Sequence, residues 1–397
     1  MIINRNMNKI PVITNLKQED DVFTFDLENA RSSMANALRR IILSEVPTVG
    51  FQTENYEEST LRVIKNTGSL HNEFLLHRIS LIPIHIQDPS SFNPDHFEFE
   101  LNVKNDTVQA KNITTKDIVV TNLVEGKKEP TEKFFPKNPI TGDHILITRL
   151  KPNLIGGESE SIHIKGRAVK GTGSDNALFS PVCCAIFTNK KDPEKAQAAF
   201  ETKLEEIQKE RVEPITEQEK KDLLKKFTIN ESERYYYTDE NNEPNQFSFR
   251  IESIGVLSPH HIVMKALDIL VSKVETFMFE LDRANESENS EMIQIKETDT
   301  QLVNGHDIHI KDENHTLGYL VQDSLASMVS NDLVLFAGYM NPHPLQKVII
   351  IRLQFAEGIS KKEIVKEIIQ TMKVVNSYLR NIRDNIAGEF GGDMSRK

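Results

Sequence analysis

Between residues 34 and 46, apolar side chains fall at Met34, Ala37, Leu38, Ile41 and Ile42, the i, i+3, i+4, i+7, i+8 spacing that gives a helix one apolar face. Ser32 or Ser33 is placed to cap its start, and Pro47 to end it. Upstream, the run through Val22, Phe23, Thr24, Phe25 and Leu27 alternates well enough to predict a strand. The same order returns late in the chain. Leu317, Leu320, Val321, Ser324, Leu325 and Met328 repeat the helical template, and "NDLVLFAGYMNPHPLQKVIIIRLQF" then supplies two strand runs around a Pro-rich turn. Each copy closes on a long amphipathic helix. In the first copy, Ser258 and Pro259 open a stripe of Ile262, Val263, Ala266, Leu267, Leu270, Val271, Val274 and Phe277. In the second, a Ser360–Glu363 capping box precedes Ile364, Val365, Ile368, Met372, Val375, Leu379, Ile382 and Ile386.

The chain is therefore read as internally duplicated. Two units with greasy helix faces bury those faces against each other as a pseudo-symmetric pair, the helix at 34–46 on its counterpart at 317–328. Between the early and late parts of the first copy lies a strand-rich stretch, roughly 52–190, with one helical piece near Glu73–Arg78. From 192 to 245 the character turns charged and helical, broken at Pro214. "DRANESENSE" (282–291) is polar and aperiodic, as a linker is. The expected organisation is a first module of 1–51 and 246–281, an insertion of 52–245, a linker of 282–291 and a second module of 292–397. The fold class is α+β, two such modules paired within one chain, the first interrupted by the insertion.

A length of 397 residues allows two to three domains. A net charge of −11 argues against an extended phosphate-binding surface, though not against one local basic patch. No apolar run approaches a membrane span, and the polar start lacks a signal-peptide core, so a soluble intracellular protein is expected. The two cysteines, Cys183 and Cys184, are adjacent. Adjacent thiols lack metal-clip spacing, and both read as small buried hydrophobes of a reduced protein.

Candidate chemistry is thin. His306, His309 and His315 stand near Asp307 and Asp312, but alternation sends the first two to opposite faces of a strand. "GRAVKGTGS" lacks the GxxxxGK[ST] spacing of a phosphate loop. No nucleophile–base pair and no metal-binding aspartate motif is present, so no catalytic residue, metal or cofactor is expected. Four charged or titratable side chains stand out instead. Arg39 and Arg40 leave the apolar stripe of the first helix, and a planar guanidinium fork suits bidentate capture of carboxylates or carbonyls. His77 and Arg78 interrupt an apolar segment and need partners if buried. The residues expected to pair the halves are Leu38, Ile41 and Ile42 with Leu317, Leu320, Val321 and Leu325.

"ANALRRIILSEVPTVGF", "NTGSLHNEFLLHRISLIPI", "RAVKGTGSDNALFSPV" and "FRIESIGVLSP" resemble, in this order, the third-largest subunit of eukaryotic RNA polymerase II and its archaeal and bacterial alpha relatives. "DENHTLGYLVQDSL" and "LVLFAGYMNPHPLQKVIIIRLQ" resemble the small eleventh subunit that pairs with it. The resemblance implies two alpha-type dimerisation modules and a non-catalytic assembly platform for DNA-templated transcription. It implies docking to the largest and second-largest polymerase subunits, with DNA contacted only indirectly, no membrane and no homo-oligomer. A fused pair resembles the arrangement in large nucleocytoplasmic DNA viruses, which implies a host-cytoplasmic viral factory, a virion or, alternatively, the nucleus. Arg39 and Arg40, carried over by motif, would face the second-largest subunit. His77 and Arg78 would serve assembly through the insertion domain. Zinc or iron–sulfur sites of relatives do not carry over to a chain with two cysteines. Aligning "SSMANALRR" with "HTLGYLVQD" sets Arg39 and Arg40 opposite Gln322 and Asp323, so the halves diverge in charge while keeping the stripe. The alternative is an adaptor of the same fold acting outside a polymerase.

Overall fold

The alternating start of the chain forms two antiparallel strands, β1 (Val12–Glu19) and β2 (Val22–Glu28), with Phe23, Phe25 and Leu27 buried. α1 (Ser32–Ser44) follows. The computed structural model describes residues 10–55, 57–153, 158–211, 213–286, 290–298, 302–329 and 333–390. Next come β3 (Thr48–Gly50), β4 (Leu61–Asn66), α2 (Asn72–Ser80), β5 (Phe97–Lys104), β6 (Lys111–Thr114) and β7 (Ile118–Asn122). β8 (Lys127–Glu129), β9 (Leu146–Leu150), β10 (Ser161–Gly166), β11 (Val169–Gly171) and β12 (Val182–Asn189) complete the strand-rich stretch. The charged segment is a pair of helices, α3 (Pro193–Lys209) and α4 (Glu217–Asn230), followed by β13 (Gln246–Ser253) and α5 (Pro259–Glu286). The last part holds β14 (Ile293–Glu297), β15 (Gly305–Lys311), α6 (His315–Met328), β16 (Val334–Met340), β17 (Val348–Phe355) and α7 (Lys361–Phe390).

The chain divides into two compact units, Met1–Ile41 with Cys184–Ile251 and Val263–Lys397, and Ile42–Cys183 with Glu252–Ile262. The first unit contains the duplication. Its sheets run β1-β2-β13-β12 and β14-β15-β17-β16, the same order of first, second, fourth and third strand. A single offset relates them. Val22 and Gly305 begin β2 and β15, Asn29 and Asp312 each take a left-handed turn (φ 57 and 59), and Ser32 and His315 begin α1 and α6. Each pair is 283 residues apart (305 less 22, 312 less 29, 315 less 32). Asn and Asp tolerate the left-handed region better than other residues with a Cβ, so both copies turn from strand to helix at the same step. In the second copy five residues separate α6 from β16; in the first, the whole stretch from β3 to β11 stands between α1 and β12.

Sequence composition groups β12 with the insertion, whereas it takes the outer place in the first sheet. The reading of the cysteines is corrected there too, for Cys183 is exposed and Cys184 half-buried, neither of them in a disulfide. The linker expected at 282–291 is shorter, because α5 continues its apolar stripe through Leu281 and Ala284, both buried, to Glu286. Ser290 then donates to Glu280 at 2.7 Å, and residues 287–289 lie outside the described residues.

The second unit is built on the sheet β4-β10-β5-β7-β8, with β11-β3 and β6-β9 as two-stranded pairs. Leu75, Leu76 and Ile79 of α2 enter its core beside Phe51, Phe99, Phe134 and Phe135. Phe99 meets Phe51, Phe134 and Phe135 edge-to-face, the arrangement ring quadrupoles favour. The glycine-rich 165–174 stretch is structural here. A Cβ at Gly171 would lie 2.5 Å from the Phe179 ring, and one at Gly173 2.2 Å from the Leu43 carbonyl oxygen.

Candidate functional site

α1 and α6 run side by side and antiparallel, as four polar contacts fix. Arg31, immediately before α1, clamps Asp323 near the end of α6 with both arms of its fork, Nε to Oδ2 at 2.9 Å and Nη2 to Oδ1 at 2.8 Å. Ser33 also donates to Asp323 Oδ2. Ser32 Oγ lies 3.4 Å from the Tyr319 hydroxyl, and at the other end Arg40 Nε donates to Thr316 Oγ1 at 2.8 Å. The 283-residue offset makes Ser33 the counterpart of Thr316, and Arg40 the counterpart of Asp323. The Ser33–Asp323 and Arg40–Thr316 contacts are therefore the same contact seen twice across a pseudo-twofold axis, as an isologous interface requires.

The residues expected from sequence to pair the halves share one property. Leu38, Ile41, Ile42, Leu317, Leu320, Val321 and Leu325 are all buried. Gly318 lets α6 approach the second sheet, for a Cβ there would stand 2.8 Å from the Tyr339 ring of β16. The long helices also run antiparallel. Glu275 of α5 accepts from Asn376 at 2.9 Å and from Arg380 of α7, while Asp268 accepts from Arg383. Lys273 reaches Glu313 at 3.0 Å. Hydrogen bonds from Arg380 and Asn376 hold the Glu275 carboxyl below its ordinary range.

The charged candidates are scattered. Arg39 donates to Asn36 of its own helix at 3.1 and 2.9 Å. Burial and the neighbouring Arg40 cation lower its pKa, and among the described residues no carboxylate pairs with it. His77 and Arg78 lie in the second unit and are exposed, not buried as a charged pair demanding partners. Arg78 nonetheless grips the β9 backbone, Nε on the Ile147 carbonyl at 2.9 Å and Nη2 on that of Leu146 at 3.2 Å. Among the described residues no group of three or more His, Cys, Asp or Glu is arranged to hold a metal ion; Asp307 is committed to Arg352 across β15 and β17 at 2.7 and 2.6 Å. No helix of the described residues is long and apolar enough to cross a membrane.

Sequence reasoning missed Arg31 and the role of Ser33, which was read as a possible cap. Asp323 carried the available signal, three residues beyond Leu320 at the edge of the stripe, where a carboxylate needs a partner. Burial works to lower the Arg31 pKa, but the hydrogen bonds and charge of Asp323 outweigh it and raise the value.

Comparison with known proteins places both halves. The RNA polymerase Rpb3/Rpb11 dimerisation domain is matched over residues 24–274 and again over 306–381. The chain is 26% identical to the mouse (Mus musculus) DNA-directed RNA polymerases I and III subunit RPAC1, over 67% of its own length and 83% of the mouse protein. It is 27% identical to the Arabidopsis thaliana DNA-directed RNA polymerases IV and V subunit 3B, covering 67% and 90% of the two chains. With the Dictyostelium discoideum DNA-directed RNA polymerase II subunit rpb3 it shares 23% identity over 68% and 94%. The α1–α6 pair lies within the two matched segments, and the chain belongs to the RNA polymerase Rpb3/Rpb11 dimerisation-domain family.

Proposed function

We propose that this chain is a non-catalytic assembly platform of a multisubunit DNA-directed RNA polymerase, carrying in one polypeptide the two dimerisation partners that its family describes. The observation that supports it most is the isologous α1–α6 contact, which joins the two matched segments intramolecularly. A short tether gives such partners an effective concentration of about millimolar, so the pair forms without a search for a second chain. In this reading 1–51 with 246–281, to which β12 is added, forms the third-largest-subunit-like module, and 292–397 the eleventh-subunit-like one. The rest of 52–245 is the insertion domain. The platform docks the largest and second-largest subunits, which supply the chemistry, and meets DNA only through them. Fusion favours a polymerase of the large nucleocytoplasmic DNA virus kind, working in a cytoplasmic factory, a virion or the nucleus.

Arg39 and Arg40 serve the docking face toward the second-largest subunit. Arg39 supports this best, as a half-buried cation that pairs with no carboxylate among the described residues. The test is affinity purification of the tagged full chain from its native cell. Two large polymerase subunits are expected at equal stoichiometry, and Arg39→Ala is expected to lose the second-largest one while the chain stays folded; Arg40→Ala also removes the Thr316 contact within the α1–α6 pair, so its effect is read only beside an unchanged melting temperature. Truncating one partner of a buried charge pair typically costs about 2–5 kcal/mol. Recovery without any polymerase subunit would favour the adaptor reading instead.

A further inference from the structure

We propose that the Arg31–Asp323 clamp is the specificity determinant of the pairing, making each half choose the other and reject a copy of itself. The inference concerns partner choice within the dimerisation fold and stands whether or not the chain docks large subunits.

The argument follows from the pseudo-twofold relation. Arg31 meets the residue at position 323, and the residue at the equivalent position in the first half is Arg40. If two first halves paired by the same geometry, Arg31 of each would face Arg40 of the other, placing two guanidinium pairs in contact. If two second halves paired, Asp323 would meet the counterpart of Arg31, which is Asn314, and the counterpart of Ser33, which is Thr316. Two buried carboxylates would then lack a cation, Asp323 being only 7% exposed here. Asp239 of the first half lies 3.9 Å from Arg31 Nη1, but only the mixed pair closes both arms of the fork on one carboxylate. The apolar stripes share their spacing, and although Ala37 corresponds to Leu320 and Ile41 to Ser324, the charge arrangement is the element that sets attraction in the mixed pair against repulsion in a self-pair. Specificity built from an attractive contact in the right pair and a repulsive one in the wrong pair is the more robust kind, and like charges set against each other at an interface are strongly unfavourable.

The test uses the full chain with a protease site placed between Glu286 and Ser290. Once the folded chain is cut, its two pieces are free to exchange partners, and native mass spectrometry reads which pairs are present. The unsubstituted chain is expected to keep only mixed pairs. Arg31→Ala is expected to lower the preference for the mixed pair by at least tenfold. Exchanging the charges, Arg31→Asp with Asp323→Arg, is the sharper variant. It restores the mixed pair, yet the carboxylate introduced at position 31 is attracted to Arg40 of a second copy, so self-pairs of the first half are expected to appear. A purely structural brace would be rescued by the exchange with no self-pairing, and that result overturns the proposal. So does Arg31→Ala exchanging as selectively as the unsubstituted chain. Thermal melting of the uncut chain provides a second measurement, in which Arg31→Asp lowers the midpoint and Asp323→Arg added to it brings the midpoint back. Failure of that rescue also overturns the assignment of the clamp.

Discussion

Leu38 and Leu320 are side chains whose place on an apolar stripe follows from spacing alone, and both are about 1% exposed. A carboxylate at either place would be buried without a cation, at a cost of several kcal/mol. A domain's whole stability is about 5–15 kcal/mol. Leu38→Asp and Leu320→Asp are therefore each expected to abolish the cooperative melting transition, and Leu320→Ala to lower stability by about 2–5 kcal/mol; unchanged melting temperatures would show that neither face is buried in the pair. The polar residues were harder to read. Ser33 has the composition of a helix cap, and nothing within ten residues of it shows that its hydroxyl is directed to Asp323, 290 positions away. Arg31 precedes the stripe and breaks no pattern. Their roles rest on a register between distant helices, and register leaves no mark on local periodicity. Cys183 fails as a prediction for the related reason that its neighbours are apolar, whereas its exposure comes from the outer place of β12 in the sheet.

At the scale of elements the sequence was more informative. Each amphipathic stripe became a helix, because an apolar face at a period of 3.6 has only a helix to place it on one side. The capping box at the start of α7 formed as its two residue types require, with Ser360 N donating to Glu363 at 2.9 Å and Glu363 N to Ser360 Oγ at 3.4 Å. Ser360→Ala is expected to cost about 1 kcal/mol. Amide exchange should quicken in the first turn of α7 and stay unchanged in the first turn of α5; uniform quickening of both helices would refute a local cap. Strand membership was less legible than helix position. β12 and β13 flank α3 and α4 in sequence and lie side by side in the sheet, whereas composition grouped β12 with the strands before it. The end of α5 was also misplaced, since Asp282, Arg283, Asn285 and Glu286 are polar enough to resemble a linker while Leu281 and Ala284 still point inward.

The whole molecule responds to acid through groups that the fold holds in their basic forms. Burial, aided by the charges of Lys296 and Arg352 and opposed by Asp307, lowers His309 from its ordinary 6.5. Burial would raise Asp26, but hydrogen bonds from Ser248, Asn15 and Lys190 outweigh it and lower the carboxyl from 3.8. In each case the unfolded chain binds the proton more readily, so stability rises with pH between the folded and unfolded values. The His309 contribution is complete above pH 6.5 and is lost as pH falls toward the folded value; that of Asp26 is complete above 3.8 and lost below. The melting temperature at pH 7.5 is expected to exceed that at pH 5.5, and His309→Asn to narrow the gap. An unaltered gap in that variant would assign the dependence elsewhere.

The antiparallel contact of α1 with α6 also has a meaning in time. Arg31 and Asp323 are separated by 292 positions, and a ribosome adds about 5–20 residues per second. Roughly 15–60 s therefore pass between synthesis of the first helix and synthesis of the helix it pairs with. Through that interval Leu38 and Ile41 have no α6 to lie beside, and an uncovered apolar face invites chaperones or aggregation. Were the partner a separate polypeptide, the interval would depend on how much of it the cell held. Because both helices are written into one message, its length is set by elongation alone, and every chain that is finished carries its own cover.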